Sequence, residues 1–358
     1  RFYQILQRWL PVFHQARFTS TILWTTSVGL FSLGSAIALA LGAYLWKQNA
    51  ITIGTVYLIF YYTNLLSRPI ERIREELEDL QQAEASILRI RELFQVQSNL
   101  SLGGNQPLPE GALSVAFENV SFGYEGEWEG EELALKDISF YLPPGQVLGL
   151  LGRTGSGKTT LARLLLRLYD PQVGSIHLGN VAVDQTPLTD LPKRVGLVTQ
   201  DVQLFQTTVR NNLTFFDTQI SDAQILEALE VLGLSTWLRS LPEGLDTDLG
   251  ADSGGLSAGQ AQLLAFARIF LKNPGLVILD EASSRLDPAT ENSIERALDK
   301  LLERRTGVII AHRLATVQRA DQILILEQGR IVEFGDRETL ANDPNSRFTQ
   351  LLKTGLDE

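Results

Sequence analysis

One eight-residue segment, Gly-Arg-Thr-Gly-Ser-Gly-Lys-Thr at 152–159, constrains the fold of this chain more than any other feature. It matches the phosphate-binding loop pattern Gly-x4-Gly-Lys-[Ser/Thr]. An apolar run at 147–151 precedes it and predicts a buried strand, and the spacing of apolar residues over 161–168 predicts a helix. A helix that begins at such a loop directs several backbone N–H groups and the positive end of its dipole at one point. The sequence therefore predicts a P-loop fold that binds a nucleoside triphosphate.

Each position of this loop has an expected role at the phosphates. Gly155 and Gly157 let the backbone approach phosphate oxygens because neither carries a Cβ. Lys158 is expected to place its charge against the β- and γ-phosphates, and the Thr159 hydroxyl is expected to bind magnesium. The predicted nucleotide contacts in and around the loop are Gly152, Arg153, Thr154, Gly155, Ser156, Gly157, Lys158, Thr159 and Thr160.

Composition restricts the partners and the chemistry of the chain. The net charge of −11 is uneven, because residues 1–95 carry nine Lys and Arg against seven Asp and Glu, while the rest carries 22 against 35. An acidic globular part argues against a nucleic-acid partner, which needs clustered positive charge. There is no cysteine, and the only histidines are His14, His177 and His312. These counts exclude disulfides, a thiol nucleophile and a histidine-rich metal site.

Two uncharged segments near the start of the chain reach the length of a membrane helix. Residues 18–46 contain no charged side chain, and residues 49–67 form a second, weaker stretch with three threonines and two asparagines. A membrane helix needs about 20 apolar residues, whereas a buried core helix, the alternative for the first segment, rarely exceeds about 14. We therefore expect an all-α transmembrane helical hairpin before the P-loop domain.

Positive charges predict the orientation of this hairpin. Three arginines precede the first segment and three follow the second, while the short connection holds only Lys47. Because Lys and Arg collect on the cytoplasmic side, both ends are expected in the cytoplasm and residues 47–52 outside. The expectation is a multi-pass protein of the cell (inner or plasma) membrane, in contact with membrane lipid, whose ATP-binding domain is cytoplasmic.

The second helix is predicted to continue beyond the membrane. Apolar residues recur every three or four positions from Ile70 to Phe94, so residues 68–94 are expected to be helical. Such a stripe suits packing against neighbouring helices. A solvated single helix is the alternative, although it would not need an apolar stripe.

A linker and an α/β domain are predicted to follow. Residues 97–112 contain Ser, Asn, Gly and Pro, which is typical of a linker. From 113 to 358, apolar strand-like runs alternate with helical segments, which predicts an α/β domain with a mixed sheet. The predicted strands are 113–117, 146–151, 195–198, 276–279, 308–311 and 322–326.

Two further motifs narrow the class of P-loop protein. The apolar run 276–279 leads into Asp280 and Glu281; a capping role is the ordinary interpretation of such a pair, but after a phosphate loop they suit a Mg²⁺-binding aspartate and a carboxylate that polarises water. Residues 256–260, Leu-Ser-Ala-Gly-Gln, open a helical run in which Ser257 is a good N-cap. The N–H groups behind it form a second anion site, which one nucleotide does not need. An ordinary capped helix is the alternative for this pentapeptide taken alone.

Together, these motifs resemble the ATP-binding-cassette (ABC) transporters, and among them the exporter half-transporters that fuse a membrane domain to an ATPase domain. The family signature Leu-Ser-Gly-Gly-Gln matches 256–260 except at Ala258, and the dimer-interface loop matches 284–287 except at Arg285. Six ordered motifs within 113–358 carry this resemblance. It implies that residues 1–96 are the C-terminal part of a transmembrane domain of six helices, so about four more spans are expected upstream.

The resemblance also implies roles for residues outside the phosphate loop. Tyr124 would stack on adenine, Gln200 would sense Mg²⁺ and the membrane domain, and His312 would contact the γ-phosphate. Mg²⁺ would be held by Thr159, Gln200 and, through water, Asp280.

The implied catalytic set is Glu281, His312, Lys158 and Gln200. Glu281 would orient or deprotonate the attacking water. Ser257, Gly259 and Gln260 would close over the ATP of a second half-transporter, in a homodimer or a heterodimer.

The resulting prediction is an ATPase that couples ATP binding and hydrolysis to movement of an unknown substrate across a membrane. One alternative is a soluble ABC-type ATPase of DNA repair or chromosome structure, although the interval from Thr160 to Leu256 is too short for the coiled coil that such proteins insert. A second alternative is an ATP-dependent dimerisation module without transport, which Glu281 argues against. An importer is disfavoured because importers usually keep the two domains on separate chains.

Overall fold

The computed structural model describes residues 2–95, 100, 103–124, 133–199, 201–249, 256–280, 288–311 and 314–354. The chain divides into two compact units, Arg1–Gln97 and Ser98–Glu358. The first consists of two long helices and the second contains the sheets, so each unit is described separately.

The first unit is a helical hairpin, as predicted. Helix α1 spans Phe2–Lys47 and helix α2 spans Ile53–Gln95. Asn49 adopts a left-handed conformation (φ 56°) and Ala50 N–H donates to Leu45 O over 3.0 Å, a hydrogen bond that ends α1 in the Schellman manner. The Thr52 hydroxyl then accepts from Thr55 N–H at 3.3 Å and begins α2.

Most of the apolar side chains that the structure describes in this hairpin are exposed. Among the described residues, one helical segment, Trp24–Lys47, is long and apolar enough to cross a membrane by its length and composition. The second predicted span, 49–67, lies on α2 from Ile53 onward but does not meet that criterion, in keeping with its threonines and asparagines. Two of these polar groups are satisfied inside the helix, because Thr63 and Asn64 donate to backbone carbonyls one turn earlier.

The second unit is built on two sheets. The first contains strands β1 (Val115–Phe122), β2 (Leu135–Leu142), β4 (Val173–Leu178) and β5 (Val181–Ala182). The second contains β3 (Val147–Leu151), β6 (Val195–Val198), β7 (Leu276–Asp280), β8 (Thr306–Ile310), β9 (Gln322–Glu327) and β10 (Arg330–Asp336). The first sheet is antiparallel in the order β2-β1-β4-β5, and the second has the order β10-β9-β3-β8-β7-β6 with only β10 antiparallel.

Helices connect and cover these strands. They are α3 (Lys158–Leu165), α4 (Leu191–Arg194), α5 (Val209–Thr214), α6 (Asp222–Val231), α7 (Ser235–Ser240), α8 (Ala258–Lys272), α9 (Pro288–Leu302), α10 (Leu314–Val317), α11 (Arg337–Asn342) and α12 (Arg347–Thr354). Two apolar clusters form the core. One lies between the parallel sheet and α5 to α9, and the other between the two sheets and α3.

The segment predicted as a linker is partly bound to this unit. Leu108 is buried in the core, and Gln106 N–H donates to Gln185 O at 3.1 Å. The Arg194 guanidinium donates to the carbonyl oxygens of Pro109 and Gly111, at 2.5 and 2.8 Å. Residues 103–111 therefore pack against the α/β unit, because their backbone groups form hydrogen bonds with it.

Candidate nucleotide site

The phosphate loop lies at the carboxyl edge of the parallel sheet. Strand β3 is buried at every residue, pairs with β8 and β9, and ends at Leu151. Helix α3 begins at Lys158 with Gly157 as its N-cap, and that N-cap has no side chain to occupy the first N–H groups of the helix. The first N–H groups of a helix and the positive end of its dipole suit an anion.

Backbone conformation explains two glycines of the loop. Gly152 has φ 145°, and a Cβ there would lie 2.3 Å from Leu326 O. Gly157 has φ 109°, and a Cβ there would lie 2.6 Å from the side chain of Leu135. Both positions combine a positive φ with a close approach, so a larger residue would displace the loop.

The Lys158 side chain is hydrogen-bonded to the first two residues of the loop. It is buried, and Nζ donates to the carbonyl oxygens of Gly152 and, at 3.2 Å, Arg153. Thr159, the next residue, is exposed. Ser156 is buried, and its hydroxyl has no hydrogen-bond partner in the part of the chain that the structure describes. The start of α3 therefore has the buried Lys158 ammonium group and Ser156 hydroxyl beside the exposed Thr159.

Asp280 reaches the same edge of the sheet. It is the last residue of β7, and both Asp280 and Leu150 pair with Ile310 of β8. Asp280 is therefore level with the end of β3, where the phosphate loop begins. The Thr159 hydroxyl and the Asp280 carboxylate are oxygen donors of the kind that Mg²⁺ prefers, so the residues present fit that ion.

Tyr124 is anchored to the helix that follows the loop. Its hydroxyl lies 3.2 Å from Thr160 Oγ1 and accepts a hydrogen bond from Arg163 Nη1 at 3.0 Å. The half-buried ring packs edge-on against Phe122 and Tyr169, with centroid distances of 5.1 and 5.2 Å. The contact with Arg163 was not predicted. Arg163 follows Thr160 by three positions, and residues three apart share a helix face. This spacing could have indicated that both residues contact Tyr124.

The signature segment forms the N-terminus of α8. The Ser257 hydroxyl accepts from Gln260 N–H at 3.2 Å, and Gln260 Oε1 accepts from Ser257 N–H at 3.0 Å, which is a complete capping box. Ser257 is thus the N-cap, as predicted. Gly259 is buried, and Ala258 is the first helical residue and does not have a positive φ. Its methyl group therefore causes no backbone strain.

Three predicted site residues, Gln200, Glu281 and His312, lie outside the described residues, as does Arg285. The described residues bring the phosphate loop, Tyr124 and Asp280 to one region of the second unit. The signature segment, 256–260, lies instead at the start of α8. Its described side-chain hydrogen bonds join Ser257 and Gln260 to each other.

A largely parallel sheet with a phosphate loop after β3, an aspartate at the end of β7 and a capped signature helix defines an ABC-type ATPase domain. The family profile described as ABC transporter matches residues 135–284. The chain is 38% identical over 345 residues to an ATP-dependent lipid A-core flippase of Pseudomonas fluorescens (strain Pf0-1), covering 96% of this chain and 56% of that protein. It is also 38% identical over 300 residues to a probable multidrug resistance ABC transporter ATP-binding/permease protein, YheH of Bacillus subtilis (strain 168), covering 84% and 44%.

A solved structure of a bacterial Atm1-family ABC exporter with ATP bound is also similar. The TM-score is 0.67 at 30% identity, covering 90% of this chain and 56% of that one. This chain belongs to the ABC transporter family, to the exporter type in which membrane helices and the ATPase domain share a polypeptide. It spans about half the length of the curated relatives that it matches.

Proposed function

We propose that this chain is the ATP-hydrolysing part of an exporter-type ABC transporter in a cell membrane. The observation that carries the proposal is the phosphate loop, in which the buried Lys158 and the N-terminus of α3 converge at the sheet edge that Asp280 also reaches. The family membership and the apolar Trp24–Lys47 helix support the membrane assignment.

Mg²⁺, when bound, would offset charge on the phosphates. Thr159, Asp280 and the predicted Gln200 are the residues that would hold it. Lys158 would stabilise charge on the γ-phosphate together with His312, and Glu281 would accept a proton from the attacking water. Tyr124 would hold the adenine ring by stacking.

The capped N-terminus of α8 supports a shared site between two copies. The N–H groups behind Ser257 suit an anion, yet the phosphate loop already supplies one such site to the domain. Ser257, Gly259 and Gln260 would therefore contact the γ-phosphate of ATP held by a second half-transporter. Closing and reopening of this dimer would drive the membrane helices, which would form a multi-pass bundle and move a substrate of unknown identity.

Nucleotide binding by the full chain tests the phosphate site. Lys158→Ala should weaken ATP binding, measured by equilibrium dialysis, by at least tenfold, because a charge-assisted contact with phosphate is worth about 1.5–3 kcal/mol. Lys193→Ala is the matched control, since Lys193 is an exposed lysine of the same unit outside the loop. Unchanged affinity in Lys158→Ala, or equal losses in both variants, would contradict the proposal.

A further inference from the structure

The Tyr124 side chain is held at its hydroxyl end by two residues of α3. The hydroxyl accepts from Arg163 Nη1 at 3.0 Å and lies 3.2 Å from Thr160 Oγ1. Arg163 is exposed, and among the residues that the structure describes its guanidinium donates a hydrogen bond to Tyr124 alone. The guanidinium therefore serves this contact rather than an ion pair.

The backbone next to Tyr124 is fixed from a second side by Gln172, which lies between α3 and β4. Its Oε1 accepts from Gly123 N–H at 3.0 Å, and its Nε2 donates to Gly123 O at 2.6 Å. Its own N–H donates to Ser121 O at 3.2 Å. One side chain thus satisfies both backbone groups of the residue before Tyr124, which restricts the backbone at the point where the tyrosine begins.

Two aromatic neighbours hold the ring of Tyr124 without stacking on it. The planes of Phe122 and Tyr169 make angles of 85° and 88° with the plane of Tyr124. Neither ring is parallel to Tyr124, so these contacts are of the edge type. The orientation of the Tyr124 ring is therefore set by its neighbours as well as by its hydrogen bonds.

These contacts fix the ring relative to the phosphate loop. Helix α3 begins at Lys158, so Thr160 and Arg163 lie within its first two turns. A side chain that is already held in its binding conformation loses less conformational entropy when a ligand binds. The contribution of Tyr124 to nucleotide affinity should therefore depend on the residues that hold it.

We propose that Arg163 and Gln172 are positioning residues that hold Tyr124 for stacking on the base of the bound nucleotide. The role of Tyr124 at the base rests on the proposed function, while the positioning rests on the hydrogen bonds. Arg163 fixes the hydroxyl end of the side chain and Gln172 fixes the backbone end. Because α3 engages the hydroxyl, the ring contacts the base through its face.

Equilibrium dialysis of the chain in lipid nanodiscs, with Mg²⁺ and two probes, tests this proposal. One probe is the non-hydrolysable analogue adenylyl imidodiphosphate, and the other is inorganic tripolyphosphate, which has the phosphates without a base. Arg163→Gln should raise the dissociation constant of the analogue about three- to tenfold, the scale of one lost hydrogen bond. It should leave that of tripolyphosphate unchanged, because the phosphate loop is intact.

Arg239→Gln is the matched control. Arg239 is an exposed arginine on α7 of the same unit, and its Nε donates to Ser235 O within its own helix at 3.2 Å. This variant should change the affinity for neither probe.

A double-mutant cycle separates positioning from a general structural role of Arg163. Tyr124→Phe keeps the ring and removes the hydroxyl, so in that background Arg163→Gln should change the dissociation constant of the analogue by less than about twofold. Gln172→Ala acts at the backbone end and covers the case in which Arg163→Gln does not fold. It should weaken the analogue about three- to tenfold and leave tripolyphosphate unchanged.

The proposal is overturned if Arg163→Gln or Gln172→Ala keeps the parent's affinity for the analogue, or if either weakens both probes equally. It is also overturned if Arg163→Gln has its full effect in the Tyr124→Phe background, or if Arg239→Gln has the same effect as Arg163→Gln. Tyr124→Ala distinguishes these failures from failure of the proposed function. If Tyr124→Ala kept the parent's affinity for the analogue, the adenine role of Tyr124 would fail, and this proposal with it.

Discussion

The two units of the chain differ in the burial of apolar side chains of the same type. In the first unit, Leu93 on α2 is 71% exposed, whereas Leu264 on α8 in the second unit is fully buried. Both residues are leucines at helical positions, so residue type and secondary structure do not distinguish them. The difference lies in what surrounds each helix: α8 lies between α5, α6, α9 and the sheet, while α2 packs only against α1 within its unit.

This difference shows where each unit obtains its stability. The second unit buries its own apolar surface between layers, as an independently packed domain does. The described helices of the first unit leave many large apolar side chains exposed, and a surface of this kind is suited to lipid and to further helices.

The largest expected effect comes from truncating one leucine in each unit. Leu264→Ala should lower the free energy of unfolding of the ATPase unit by about 2–5 kcal/mol, because it leaves a cavity in the core. Leu93→Ala should change it by no more than about 0.5 kcal/mol, because an exposed side chain contributes little packing. Urea denaturation of the full chain in detergent, followed by fluorescence and circular dichroism, measures both. Equal losses of unfolding free energy in the two variants would contradict the difference between the two units.

A smaller effect is expected at Tyr124. Stacking on a base is worth about 1–3 kcal/mol, so Tyr124→Ala should raise the ATP dissociation constant by about ten- to a hundredfold. Tyr124→Trp should nearly preserve the affinity, since it keeps a stacking surface. Tyr124→Phe separates the ring from the hydroxyl that contacts Thr160 and Arg163. If Tyr124→Trp lost as much affinity as Tyr124→Ala, the ring would be packing the core rather than stacking on adenine.

An effect of similar size is expected from a comparison of one glycine in each unit. A Cβ at Gly104 would lie 2.4 Å from Gln185 O, so Gly104→Ala should displace the bound segment 103–111 and destabilise the ATPase unit by about 1–3 kcal/mol. Gly29 on α1 has no atom within 4 Å of its Cβ position, so Gly29→Ala should leave the thermal midpoint of the ATPase unit unchanged. A midpoint that stays the same in Gly104→Ala would show that the segment is not held as described.

The sequence predicted the parallel strands better than the antiparallel ones. The run 195–198 coincides with β6, and 276–279 and 322–326 each fall one residue short of β7 and β9. These strands are buried on both faces and appear in the sequence as continuous apolar runs. Strands β2, β4, β5 and β10 were missed. In β10, for example, exposed and half-buried residues alternate, so no apolar run marks it.

The site likewise contains features that local sequence predicts and contacts that it does not. The phosphate loop, the Ser257 N-cap and the strand-end position of Asp280 follow from local spacing, and the structure has all three. The roles of Tyr124, Gln200, Glu281 and His312 remain predictions. The contacts of Arg194 could not be predicted, because its partners are the backbone carbonyls of Pro109 and Gly111, which lie 85 and 83 residues away in the chain.

Hydrolysis, rather than ATP-dependent dimerisation alone, is the activity proposed for this chain, and phosphate release by Glu281→Gln tests it most directly. With Mg·ATP, the variant should bind ATP with the affinity of the parent, while its rate of phosphate release falls at least tens-fold, the scale of a general base. A variant that binds ATP normally and releases phosphate at the parent rate would contradict the catalytic assignment, and a parent that releases none would contradict hydrolysis itself.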